Sequence, residues 1–116
     1  MSVLGRILIY TKDAEAMVAF YGGTLVFSAV RDSADPIVEL RHPDGGAAIL
    51  LHQAAKPQKM GQRLVKLVFD EQDEGAFAAA HPAFGKVHKV PGYEFANAKD
   101  PSGNSVQVSS RAFSGT

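Results

Sequence analysis

The stretch Lys99-Asp100-Pro101-Ser102-Gly103-Asn104-Ser105-Val106-Gln107-Val108 decides the fold that the sequence predicts. Its Asp and Pro suit the first two positions of a type I turn, and Gly103 suits the fourth because glycine tolerates a positive φ. The stretch is therefore typical of a strand, a tight turn and a second strand. A similar stretch, His42-Pro43-Asp44-Gly45-Gly46-Ala47-Ala48-Ile49-Leu50, begins its turn 58 residues earlier, which is half of the 116-residue chain. This spacing indicates an internal duplication.

Each half of the chain predicts the same order of elements: strand, helix and three strands. Asp13 is expected to cap a helix that ends at Gly22-Gly23, and Asp70 is expected to cap one that Pro82 stops. We expect strands at 5–11, 26–31, 36–42, 47–52, 64–69, 86–90, 93–99 and 106–110. The prediction is a single domain, residues 1–116, with βαβββ module 1 at about 5–52, a linker at about 53–62, and βαβββ module 2 at about 63–111.

The composition argues against several classes of partner. Twelve basic and twelve acidic side chains cancel, so no overall field favours nucleic acid or a membrane surface. The absence of cysteine excludes a disulfide scaffold and fits a cytoplasmic protein. The apolar run at residues 7–10 is too short for the core of a signal peptide. We expect a soluble, cytoplasmic domain that binds neither nucleic acid nor membrane.

Three features together resemble the vicinal oxygen chelate superfamily, the group of glyoxalase I, bleomycin-resistance proteins and extradiol dioxygenases. They are the tandem βαβββ modules, the Asp-Ala-Glu-Ala-Met-Val-Ala-Phe-Tyr helix at residues 13–21, and the Asp-Pro-Ser-Gly-Asn turn at residues 100–104. The resemblance implies an α+β fold in which two curved, mixed sheets form an open cleft with the helices outside. Family members of this size commonly pair, so we expect a homodimer. One departure is Leu25-Val26-Phe27 in place of the usual Leu-Gly-Phe.

Strand alternation then assigns the side chains that would line the cleft. From the first module they are Arg6, Leu8, Tyr10, Glu39, Arg41, Ala47, Ile49 and Leu51, and from the second Leu64, Lys66, Val68, Asn97, Lys99, Ser105, Gln107 and Ser109. Alternation places Ala48 and Leu50 on the opposite side, toward the helix. The predicted ligand-binding residues are Arg6, Leu8, Tyr10, Arg41, Lys66, Asn97 and Gln107. Glu39 is the sole carboxylate in this basic lining, which favours a small anionic or amphipathic ligand.

Metal-dependent members of the superfamily take His and Glu ligands from strand positions that correspond here to Arg6, Ile49, Leu64 and Gln107. Arginine, isoleucine and leucine offer no lone pair for a metal, and glutamine alone is a weak ligand. The four histidines, His42, His52, His81 and His88, lack the spacing of a metal site and suit surface or capping roles. We therefore expect neither a metal nor another cofactor.

Two functions follow from the resemblance. The first is a metal-free binding or sequestering protein of the resistance type, with a small molecule as its partner. The alternative is an enzyme of lyase, isomerase or epimerase type, in which Glu39 is the general base and Arg6 or Lys66 stabilises an oxyanion. A third hypothesis is a degenerate partner subunit that only dimerises.

Overall fold

The computed structural model describes residues 4–60 and 65–113. The chain divides into two compact units, before and after the bond between Met60 and Gly61. Each unit contains one four-stranded mixed sheet and follows the order strand, helix and three strands. The expected α+β fold with two βαβββ modules is confirmed. In the part of the chain that the structure describes, no helix is long and apolar enough to cross a membrane.

The first unit packs one helix against one face of its sheet. Its elements are β1 (Arg6–Thr11), α1 (Ala14–Leu25), β2 (Ser28–Asp32), β3 (Asp35–Arg41) and β4 (Ala48–Gln53). The strand order is β1-β4-β3-β2, with β1 and β4 parallel and the other pairs antiparallel. The large buried apolar side chains of this unit come from α1, from the segment after it and from one face of the sheet: Met17, Tyr21, Leu25, Phe27, Val38, Leu40, Ile49 and Leu51.

The second unit repeats this arrangement with a shorter helix. Its elements are β5 (Lys66–Asp70), α2 (Glu74–Ala80), β6 (Val87–Val90), β7 (Tyr93–Lys99) and β8 (Ser105–Ser109), with 3₁₀ turns at Pro82–Phe84 and Arg111–Phe113. The strand order is β5-β8-β7-β6, and β5 and β8 are parallel. The buried apolar side chains are Ala78, Phe84, Ala96, Val106 and Val108. Leu64, the predicted first residue of the first strand in this module, lies outside the described residues.

The end of α1 differs from the prediction. Asp13 caps the helix as expected, because its side chain accepts a hydrogen bond from the Ala16 N–H at 3.0 Å. The helix does not end at Gly22-Gly23 but continues to Leu25, whose side chain is buried. Val26 then takes the left-handed conformation, with φ of 66°, and the Phe27 N–H reaches back to the Tyr21 carbonyl at 3.0 Å. A left-handed residue is common at helix ends, where glycine is usual, and here the β-branched Val26 takes that position.

The cap of α2 also differs from the prediction, in which Asp70 was the capping residue. Asp70 is the last residue of β5, and the chain makes a turn before the helix begins. Asp73 caps the helix, because its carboxylate accepts from the Ala76 N–H at 3.2 Å. Several acidic residues stand close together here, so the sequence alone favours none of them clearly.

The register of β4 corrects a third prediction. Ile49 and Leu51 are buried on the helix side, each only 2% exposed, whereas Ala48 and Leu50 lie on the open side. The turn at residues 42–47 is one residue longer than its counterpart at residues 100–104. Consequently 58 residues separate Leu40 from Ala98, but 57 separate their partners Ile49 and Val106. Because side chains alternate along a strand, one additional residue moves every side chain of β4 to the other face.

The two turns use different side chains at their first position. Asp100 is 4% exposed, and its carboxylate accepts from the N–H groups of Ser102 and Asn104, both at 2.9 Å, and from the Asn104 amide. In the longer turn, His42 takes that position, and its Nδ1 accepts from the Asp44 N–H at 3.1 Å. Gly45 and Gly103 both follow with a positive φ, and Gly46, also at positive φ, extends the longer turn. The two turns that indicated the duplication therefore differ in one respect. A carboxylate accepts the backbone N–H groups only in the turn of the second unit.

Candidate functional site

The face of the first sheet that is turned away from α1 is uncovered within its own unit. We define the first open face by Arg6, Leu8, Tyr10, Val30, Glu39, Arg41, Ala48, Leu50 and His52. Across the four strands, Leu8 pairs with Leu50, Leu50 with Glu39, and Glu39 with Val30. Leu8 is 42% exposed and Tyr10 is 46% exposed, with the Tyr10 ring 5.1 Å from that of His52. The sequence placed Arg6, Leu8, Tyr10, Glu39 and Arg41 on this face but missed Val30, Ala48, Leu50 and His52.

Glu39 holds both arginines of the first open face. Arg41 Nε donates to Glu39 Oε2 at 2.5 Å, and Arg6 Nε lies 3.5 Å from Oε1. The hydrogen bond from Arg41 lowers the pKa of Glu39 below its ordinary value, with the charges of Arg41 and Arg6 adding to the effect against the cost of burial. A carboxylate that is paired in this way is a weak base. The ion pairs therefore argue against Glu39 as a general base.

The open face of the second sheet has a different electrostatic character. We define the second open face by Lys66, Val68, His88, Phe95, Asn97, Lys99, Ser105, Gln107 and Ser109. Lys66 and Lys99 lie on either side of Ser105, and Val68 and Asn97 lie on either side of Gln107. Lys99 Nζ donates to Ser105 Oγ at 3.1 Å. Ser109, although on this face, is 2% exposed.

A hydrogen-bond network joins three of the predicted binding residues on this face. Lys66 Nζ donates to Asn97 Oδ1 at 3.1 Å, and Gln107 Nε2 donates to the same oxygen at 3.0 Å. In residues 65–113, neither Lys66 nor Lys99 forms an ion pair with a carboxylate. Both lysines are exposed. Their charge is thus available to a ligand, in contrast to the arginines of the first open face.

The residues at the family's metal positions do not fit a divalent ion. Arg6 and Gln107 lie on open faces, as expected, but Ile49 is buried on the helix side, and Leu64 lies outside the described residues. The open-face counterpart of Gln107 in the first unit is Leu50, which also has no donor atom. Among residues 4–60 and 65–113, no three His, Cys, Asp or Glu side chains cluster as metal ligands.

The histidines make local contacts, each at a different place in the chain. These contacts are His42 Nδ1 with the Asp44 N–H, His52 Nδ1 with the Gln53 carbonyl at 2.9 Å, His81 Nδ1 with the Phe77 carbonyl at 2.9 Å, and the His88 ring stacked on Phe95 at 5.0 Å. The contacts of His42 and His81 are consistent with the capping roles expected from the sequence.

Comparison with known proteins gives one family. The sequence profile of the Glyoxalase/Bleomycin resistance protein/Dioxygenase superfamily matches residues 3–108 of the chain. No curated protein sequence matches the chain significantly.

Several solved structures are similar to the chain over nearly its whole length. A superfamily member from Sphaerobacter thermophilus has a TM-score of 0.74 at 19% identity, covering 94% of this chain and 97% of that one. TnmS3, an antibiotic binding protein from a Streptomyces species, has a TM-score of 0.74 at 19% identity, with 93% and 94% covered. Lactoylglutathione lyase from Agrobacterium tumefaciens has a TM-score of 0.65 at 20% identity, with 94% and 93% covered. At these identities the similarity shows the fold alone.

Proposed function

Since the chain belongs to the Glyoxalase/Bleomycin resistance protein/Dioxygenase superfamily, we propose that it is a metal-free binding protein for a small amphipathic molecule with an anionic group. The observation that carries this proposal is the pair of exposed lysines on the second open face, Lys66 and Lys99, which have no carboxylate partner among the described residues. Two such cations on one sheet face attract an anion more strongly than cations already neutralised by a neighbour.

The amide network defines which group of the ligand would be bound. A lysine ammonium only donates, so the Asn97 atom that faces Lys66 is the carbonyl oxygen. Gln107 donates to the same oxygen. The Asn97 NH₂ group donates to no acceptor among the described residues, so it can donate to a ligand. A carboxylate or phosphate can accept from Lys66 Nζ and from this NH₂ group together. Charge-assisted bonds of this kind are about twice as strong as neutral ones.

Exposed apolar side chains would contact the rest of an amphipathic ligand. Val68 is 53% exposed beside Gln107, and the stacked rings of His88 and Phe95 lie farther along the second open face. Ligand pockets commonly combine such apolar walls with a few polar groups that fix orientation. TnmS3, which shares the fold, is an antibiotic binding protein, and this supports binding as a use of the fold.

The other expectations about partners remain proposals. We propose a homodimer with a small-molecule ligand and without nucleic acid or membrane as partners. Light scattering of the eluted protein tests the dimer, because a mass near 12.3 kDa would contradict it. Elemental analysis tests the metal-free state, since one stoichiometric Zn, Ni, Mn or Fe per chain would overturn it. The ion pairs of Glu39 with Arg41 and Arg6 argue against the enzyme alternative, in which Glu39 is the general base.

A thermal-melting screen with matched compounds tests the proposal. Benzoate, benzamide and benzyl phosphate share a ring and differ in charge. A ligand at 100 times its Kd stabilises the native state by about 2.7 kcal/mol. We expect the acids to raise Tm and the neutral amide to leave it unchanged. If no carboxylate or phosphate in a wider panel raises Tm, the proposal is wrong.

A further inference from the structure

A pocket of about 510 Å³ lies in the second unit, beside the first turn of α2 and the hairpin that joins β6 and β7. Its charged lining residues are Asp73, Glu74, Glu94 and Lys89, and Val90 and Tyr93 also contribute to its wall. Three carboxylates thus line a pocket that contains one lysine. This volume is in the range of small-molecule sites.

Glu74 is the most unusual residue of this pocket. Its side chain is 2% exposed, and both carboxylate oxygens are buried without a hydrogen-bond partner among the described residues. Buried polar groups nearly always have a partner, and leaving a charged one without any is costly. Asp73, by contrast, uses its carboxylate to cap the helix. The carboxylate of Glu74 therefore needs a donor that the described chain does not supply.

Glu94 brings a second carboxylate to the same place. Strand alternation turns Glu94 toward α2, and a methyl group added at Gly75 would lie 3.7 Å from Glu94 Oε2. The backbone of Glu94 is fixed by Ser110, whose Oγ accepts from the Glu94 N–H at 3.0 Å and whose N–H donates to the Glu94 carbonyl at 3.0 Å. Lys89 pairs with Glu94 across the strands but forms no ion pair with it in residues 65–113.

We propose that this pocket binds a small organic ammonium ion, with the carboxylates of Glu74 and Glu94 as acceptors. An ammonium group has three donors, so it can donate to both carboxylates at once. A divalent metal suits the pocket less, because no three His, Cys, Asp or Glu side chains in the described ranges are grouped as ligands. The site is independent of the proposed anion site, since Glu94 and Asn97 point to opposite faces of β7.

Titration with benzylammonium chloride, followed by the amide NMR signals of Gly75 and Glu94, tests the proposal. Benzyl alcohol is the neutral control with the same ring. We expect benzylammonium to shift both signals saturably and to bind at least about tenfold more tightly than benzyl alcohol, as expected for a hydrogen bond to a charged group.

Two substitutions locate the site. Glu74→Gln keeps the size of the side chain and removes its buried charge, so the variant should fold, and it should bind benzylammonium about tenfold more weakly. Glu71→Gln, which changes the same residue type outside the pocket, should bind like the wild type. Equal binding of the amine and the alcohol, no saturable shift, or wild-type affinity in Glu74→Gln would each overturn the proposal. Loss of benzoate binding in Glu74→Gln would also contradict it, because the two sites would not be separate.

Discussion

The guanidinium of Arg41 donates a hydrogen bond to the carboxylate of Glu39 on the open face of the first sheet. Arg6 approaches the other oxygen of the same carboxylate at 3.5 Å. One glutamate therefore pairs with two arginines and offsets one of their two positive charges. The basic bias expected from the sequence is thus uneven, and the unpaired charge lies on the second open face, with Lys66 and Lys99.

The first prediction concerns the pH dependence of this ion-pair cluster. Arg41 and Arg6 lower the pKa of Glu39 in the folded state, so the cluster stabilises the protein above the ordinary pKa of about 4.5 and loses this effect as the pH falls through the lowered pKa. Glu39→Gln should therefore lower Tm at about pH 7 and have less effect at about pH 3. Glu15→Gln, at the more exposed pair with Arg31, is the control and should show a smaller change with pH.

The second prediction concerns the turn that closes β7 onto β8. Asp100→Ala removes the acceptor of two backbone N–H groups and the Asn104 amide, so we expect a loss of about 2–3 kcal/mol in the free energy of unfolding. Urea denaturation measures this loss. Asp44→Ala in the counterpart turn is the control, because the Asp44 side chain is 92% exposed, and it should cost much less. Equal losses in both variants would contradict the role of Asp100.

The third prediction concerns the end of α1. Val26 is 61% exposed and holds a positive φ, a conformation that costs a residue with a Cβ about 1–2 kcal/mol. Val26→Gly removes this strain and loses little buried surface, so it should stabilise the protein by about 0.5–1 kcal/mol after the backbone entropy of glycine is counted. Val30→Gly, in the extended strand β2, should instead destabilise it. Urea denaturation of both variants provides the comparison.

The fourth prediction concerns the buried carboxyl group of Glu74. Burial raises the pKa of Glu74, and the nearby charges of Glu94 and Asp73 raise it further. The folded state thus holds this proton more tightly than the unfolded state, and stability is lost as the pH rises through the raised pKa. Glu74→Gln should raise Tm at about pH 7, with a smaller gain toward about pH 4. Glu71→Gln should show no comparable gain, and a Tm loss in Glu74→Gln at neutral pH would contradict the account.

The sequence predicted the fold because several local signals agreed. The two turns with Pro43 and Pro101, the Asp13 cap and the alternating strands all indicated the same modules, and the structure contains them. The register of β4 could not be predicted by a fixed repeat, because a one-residue difference between turns is invisible in the pattern until the pairing with β3 is known. The end of α1 was missed because a helix can pass through Gly22-Gly23 when tertiary packing buries Leu25.

The placement of side chains on the open faces was predicted in part. The alternation of side chains along the strands predicted that Lys66, Asn97 and Gln107 lie on one face, and the hydrogen bonds among them agree with this. The ion pairs of Arg6 and Arg41 with Glu39 depend on side-chain geometry, which strand alternation does not predict. Glu74 gave no signal at all, because an acidic residue in the first turn of a helix is ordinary in sequence and becomes unusual only when it is buried.

The role of Lys66 is tested most directly by isothermal titration of the acid that raises Tm most in the screen. Lys66→Gln should weaken its binding about tenfold or more, because it removes a charge-assisted hydrogen bond. Lys89→Gln makes the same change in net charge on the helix side of the second sheet and should leave the affinity close to that of the wild type. Wild-type affinity in Lys66→Gln, or equal weakening in both variants, would contradict an anion site on the second open face.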